Sequence, residues 1–170
     1  MKLPVGILAV LALLMVVQMA YYYLQLPDTV ASHFDATGTP NGWMSKTAFV
    51  VIILAALPLS AAPTAGFALV LHHVQDAMNL PNKEYWLAPE RRDNTLAFVG
   101  ASMIWIESLI VALLLVINYF VCRLNIDGDN RLALPMIPTL VVFLGGLSVI
   151  ITRMVLRFKG HQFNIQNTGT

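Results

Sequence analysis

Apolar residues fall into four long runs, at 3–24, 48–71, 95–121 and 134–156, and polar residues collect between them. Each run meets or exceeds the roughly 20 residues a helix needs to cross a hydrocarbon core about 30 Å thick. Lipid offers the peptide groups no hydrogen-bond partner, so each run is predicted to be helical. The fold class is therefore all-α, an integral membrane four-helix bundle. The pattern changes to turn chemistry only between the first two helices, which predicts a short structured extracytoplasmic loop there. Lys2 ahead of the first run suggests a secretory signal. Yet the run is longer than a signal core, and Met19, Tyr21, Tyr22 and Tyr23 provide no small-x-small cleavage pattern. It is read as a retained anchor. The chain then divides into a two-helix unit at 1–73 with its outer loop at 25–47, a cytoplasmic interfacial loop at 74–94, helices three and four at 95–157, and a polar C-terminal tail at 158–170.

Within the runs, Pro58 and Pro63 flank Ser60, Ala61 and Ala62, which predicts a kink near the midplane of the second helix, for packing rather than for a cavity. Gly145 and Gly146, with Ser148, permit a close helix approach. Gln18 and Asn118 are uncharged and are expected to bond between helices.

Composition sharpens the picture. Hydrophobic residues make up 58% of the chain and charged residues 11%, more apolar surface than a soluble fold of this size can hide. The lipid bilayer is thus the first expected partner. A net charge of +1 with no basic run excludes nucleic acid as a partner. The single cysteine, Cys122, excludes an internal disulfide and a cysteine-based metal cage, and is expected to be a small buried hydrophobe. With the N-terminus inside, the basic residues on the cytoplasmic side are Lys2, Lys83, Arg91, Arg92, Arg153, Arg157 and Lys159, against Lys46, Arg123 and Arg131 outside. That bias favours both termini in the cytoplasm. Tyr21 to Tyr23, Trp43, Tyr119 and Phe120 would anchor the outer headgroup layer.

The outer loop, 26–49, reads LPDTVASHFDATGTPNGWMSKTAF. Two glycine-bearing turns are predicted, at 35–38 and 39–42, placing His33, Asp35 and Trp43 in a compact cap over the helix ends. This segment resembles the signature of the domain-of-unknown-function 1648 family, whose best-known members are SdpI-like bacterial immunity proteins. Leu26-Pro27, His33-Phe34, Gly38, Pro40, Gly42-Trp43 and Ser45-Lys46 carry the resemblance, placed directly after a first membrane span. The stretch 79–92, NLPNKEYWLAPERR, is similar to a segment that follows the second span in some relatives. The resemblance implies a bacterial cytoplasmic (inner) membrane protein that protects against a secreted toxin or reports it. SdpI-like proteins usually carry further spans, whereas four are found here. His33, Phe34, Asp35, Gly38, Pro40, Gly42 and Trp43 are the candidate binding residues.

Glu107 lies about 12 residues into the third run, where a carboxylate costs roughly 2.5 to 3.5 kcal/mol or more. It is expected to face the bundle, either bonded to Ser60, Ser148 or Thr152 or serving as a proton or ligand site. His33, Asp35 and Asp28 are a thin set for a metal, and no metal site is expected; a structural His33, bonded to a turn carbonyl, is preferred. His72 and His73, near Asp76, would need His161 as a facing ligand to hold haem, so they are read as interfacial residues and no cofactor is expected. The inner loop, with Leu80, Tyr85, Trp86 and Leu87 beside Lys83, Arg91 and Arg92, has the profile of a segment lying on the membrane surface, or of a docking site for a cytoplasmic partner. Pro89 and Glu90 suit the first turn of the third helix. The stretch 125–130, NIDGDN, lacks the downstream Glu of a calcium loop and is read as a tight polar turn.

No nucleophile with a paired base, no phosphate cradle and no carboxylate pair on one helix face is present, so no catalytic residues and no enzyme activity are expected. The first expectation is a small inner-membrane protein that binds a secreted peptide or a membrane protein partner through the outer loop, for immunity or envelope signalling. The alternatives are an accessory structural subunit of a larger membrane complex and a small carrier using Glu107.

Overall fold

A computed structural model describes residues 2–70, 80–128 and 133–168. Its elements are helix α1 (Lys2–Tyr23), strands β1 (Thr29–Phe34) and β2 (Pro40–Ser45), and helices α2 (Lys46–Val70), α3 (Lys83–Trp86), α4 (Pro89–Asp127) and α5 (Ala133–Thr168). Four helical stretches are long and apolar enough to cross a membrane: Lys2–Tyr23, Lys46–Thr64, Pro89–Asp127 and Met136–Lys159. Their outward residues, among them Leu13, Val17, Val51, Leu59, Val142 and Val149, are exposed in the isolated chain. An apolar surface of that extent needs lipid around it. The chain is a multi-pass membrane protein with a four-helix transmembrane bundle.

The helix α4 is central, packing against α1, α2 and α5, while α1 also meets α2. Its inward face mixes small and polar residues, Gly100, Ser102, Glu107, Ser108 and Asn118, with buried leucines and valines such as Leu96, Val99, Val111 and Leu124. Without a hydrophobic drive between helices in lipid, small residues and polar bonds hold them together. Gln18 Nε2 donates to the Leu115 carbonyl at 3.1 Å, and Asn118 Nδ2 lies 3.7 Å from Met15 Sδ. Gly146 of α5 sits so close to Leu109 that a Cβ there would come within 3.2 Å of its side chain, the close approach expected of the glycine pair. The helix α2 continues through both Pro58 and Pro63, and Ser60 Oγ donates to the Leu57 carbonyl at 3.0 Å.

At 1.5 Å per residue the 39 residues of α4 make a rod about 58 Å long, roughly twice the hydrocarbon thickness. It is longer than the hydrocarbon layer is thick, and each of its ends organises an end of the molecule. At the end that carries both termini, α4 begins at Pro89 with Glu90 in its first turn, as the sequence predicted. There Thr95 Oγ1 donates to the Trp86 carbonyl at 2.9 Å, Arg91 Nε donates to the Tyr85 carbonyl at 2.9 Å, and the Trp86 ring meets Phe158 edge-on at 5.3 Å. The aromatics expected at headgroup depth are thus packed onto α4 and α5.

At the other end the structure corrects the sequence reading. Residues 125–127 are not a turn: α4 continues to Asp127, and only Gly128, with φ +70° and its N–H on the Leu124 carbonyl at 2.9 Å, closes it. A glycine there adopts the left-handed conformation at no steric cost. His72, His73 and Asp76, the residues Asp129 and Asn130, and the side chain of His161 lie outside the described residues.

Candidate functional site

Beyond the membrane end of α1 the chain forms an antiparallel hairpin rather than a pair of tight turns. The pairing runs Thr29 with Ser45, Val30 with Met44, Ala31 with Trp43, His33 with Gly42 and Phe34 with Pro40. Its tip is the predicted turn at 35–38, where the Gly38 N–H donates to the Asp35 carbonyl at 3.0 Å and Gly38 has φ +83°. One carboxylate oxygen of Asp35 accepts from the Thr37 hydroxyl at 2.6 Å, the Thr37 N–H at 2.8 Å and the Thr39 N–H at 3.0 Å. Those donors, the Thr37 hydroxyl foremost, hold the Asp35 carboxyl below the usual carboxylate range.

The second predicted turn, at 39–42, is not formed. Pro40 opens β2, where a strand tolerates a missing N–H, and Gly42 has no positive φ. Gly42 is needed for space: a Cβ there would stand 3.1 Å from His33 Cβ. Ser32 and Asn41 are the extra residues where the register shifts, and such bulges re-aim the side chains around them. His33 Nδ1 lies 3.1 Å from Ser32 Oγ, so its partner is a hydroxyl and not the turn carbonyl expected.

The hairpin is clamped to the bundle. Leu26, Val30 and Ala31 are buried, Phe34 and Met44 partly so, against a core of Met15, Met19, Tyr22, Phe49, Val121 and Cys122. Asn125, carried at the end of α4, accepts from the Ala31 N–H at 2.7 Å and donates to the Ala31 carbonyl at 3.0 Å and to the Val121 carbonyl at 2.9 Å. One side-chain amide therefore meets both outward backbone groups of Ala31, as a third strand would. Ser45 caps α2 by accepting from the Ala48 N–H at 3.2 Å, and Lys46 pairs with Asp28 at 2.9 Å. Asn125 was not among the residues singled out from the sequence, because nothing local distinguishes it from a turn asparagine.

What remains accessible is β2. Because the backbone groups of Ala31 turn away from the hairpin to meet Asn125, its partner Trp43 must also turn its N–H and C=O away from β1. The Trp43 side chain is 61% exposed beside that edge, and His33 and Asn41 are exposed as well. The candidate residues thus separate by role. Gly38, Pro40, Gly42, Asp35 and Phe34 build the hairpin, while His33 and Trp43 are presented by it.

Glu107 is 2% exposed in the interior, and its Oε1 has no hydrogen-bond partner. The expected partners do not reach it: Ser60 bonds its own helix, and Ser148 and Thr152 are exposed. Among the described residues no three metal-ligating side chains come together. Asp28 is engaged by Lys46 and Asp35 by its own turn.

Residues 10–57 match the family model described as Domain of unknown function (DUF1648). The match takes in most of α1, the whole hairpin and the first half of α2, the segment whose motif residues prove to be the hairpin's framework. No curated protein and no solved structure matches the chain.

Proposed function

We propose that the hairpin is the working surface, and that it receives an extended peptide or protein segment by strand addition along the open edge of β2. The supporting observation is the asymmetry of the hairpin: Asn125 meets one edge at Ala31, while Trp43 stands 61% exposed beside the other. An added strand would take its main-chain bonds from Trp43 and Ser45 and its side-chain contact from the Trp43 ring. The setting is a bacterial cytoplasmic membrane with both termini inside, and the role is immunity to a secreted peptide or envelope signalling, by binding and not by catalysis.

The test is protection of a sensitive strain from culture supernatant of the native host. Trp43→Ala removes the ring, and Trp43→Pro also removes the outward N–H without breaking a bond to β1. Protection should fall with Ala and vanish with Pro; full protection by the Pro variant refutes strand addition. Orientation is checked with Thr37→Cys, because the one native cysteine, Cys122, is fully buried and silent. An impermeant maleimide should label intact cells, and labelling only after lysis would invert the topology.

A second reading, a small carrier, rests on the unpartnered carboxylate oxygen of Glu107. Glu107→Gln separates the two, since it would leave peptide protection intact and abolish proton-coupled transport.

A further inference from the structure

Apart from the hairpin, the opposite end of the bundle holds a built cavity. Between α4 and α5 a cleft of about 120 Å³ is lined by Phe98, Ala101, Ser102, Trp105, Ile150 and Arg153. We propose that this cleft holds the phosphate headgroup of an anionic phospholipid from the surrounding leaflet, with Arg153 and Arg157 as its cationic contacts.

Charge supports this first. At the hairpin end the cations are paired, Lys46 with Asp28 and Arg123 with Asp127. Among the described residues no carboxylate comes within ion-pair distance of Arg153 or Arg157, although Glu84, Glu90 and Asp93 share their end of the molecule. Arg157 stacks its guanidinium 4.1 Å from the centre of the Phe98 ring. Stacking fixes the plane of the fork and leaves its N–H groups free at the edge, an arrangement suited to phosphate oxygens. Arg153 lies one turn away on the same face of α5.

Depth agrees. Trp105 is 18 residues from Arg123 on α4, about 27 Å at 1.5 Å per residue, so with Arg123 at one edge of a hydrocarbon core about 30 Å thick Trp105 approaches the other edge from within. The same seam also offers a place for an acyl chain. Beyond the contact of Gly146 with Leu109, a separate groove of about 330 Å³ lies toward the membrane centre, lined by Leu109, Leu113, Val116, Val142 and Phe143. A phosphate-sized pocket with an arginine in its lining, in the same seam as an oily groove between two spans, fits a lipid better than free phosphate.

The full chain, purified in mild detergent and titrated with equal palmitoyl-oleoyl phosphatidylglycerol and phosphatidylcholine, is read by native mass spectrometry. Selective retention of phosphatidylglycerol is expected, with Arg153→Gln reducing it about fivefold and the Arg153→Gln/Arg157→Gln pair reducing it further. Arg153→Lys, which keeps the charge but loses the fork, should fall between, and Arg123→Gln at the far end should change nothing. Equal retention of the two lipids, or unchanged phosphatidylglycerol binding in the folded double variant, refutes the site. Displacement of the lipid by millimolar inorganic phosphate would reassign it to the free anion and equally overturn the proposal.

Discussion

Asn125 shows how much one side chain carries when it meets both backbone groups of a buried strand residue. Removing it leaves the Ala31 N–H and C=O without protein partners, which costs about 1–3 kcal/mol for each buried group left unmatched. Asn125→Ala should therefore lower the thermal midpoint of the purified protein clearly, and Asn125→Asp at least as much, since a carboxylate would face the Ala31 carbonyl. If both variants melt like the unchanged protein, the clamp contributes nothing. Asp35 makes a prediction about pH. Its folded carboxyl ionises below its usual range because the Thr37 hydroxyl and the Thr37 and Thr39 N–H groups favour the charged form. The support it gives the turn is complete above the unfolded carboxylate value and is lost as pH falls through the lower, folded one. Protection of the Thr37 and Thr39 amides, taken relative to their intrinsic exchange rate at each pH, should fall across that acid window in the unchanged protein, and Asp35→Asn should flatten the dependence.

At the scale of elements, the motif that resembles the 1648 domain becomes a set of instructions for one hairpin. Gly38 supplies a left-handed turn residue, so Gly38→Ala is expected to cost about 1 kcal/mol, measurable by chemical unfolding. Gly42 answers a different need, and the difference is testable: Gly42→Ala should destabilise through its 3.1 Å encounter with His33 Cβ, and since His33→Ala keeps that Cβ, only His33→Gly should relieve it. The turn at 35–38 was legible because its chemistry is local. The strand at 40–45 was misread because proline, asparagine and glycine also spell a turn, and only the pairing with β1 decides otherwise. In the same way the length of α4 hid Asn125, since a polar stretch after an apolar run reads as loop until a partner is seen above it.

For the whole molecule, the interior polar residues set the balance between packing and function. Glu107 lies buried with an unmatched oxygen, so Glu107→Gln should leave unfolding in detergent unchanged or raise its midpoint; a marked loss of stability would show that the acid binds the helices together. By itself the sequence determined that four helices cross a bilayer, that the glycine-bearing segment between the first two is folded, and that Glu107 must avoid lipid. These follow from lengths, turn residues and the cost of a charge in hydrocarbon, all of which act within a short stretch of chain. Only the tertiary structure decided that the segment between the first two spans is a hairpin, that Asn125 meets its first strand across 94 residues of chain, and that Arg153 lines a cleft while Arg157 stacks on Phe98. Those outcomes depend on which helix faces which, and α4 decides that by packing against the other three spans.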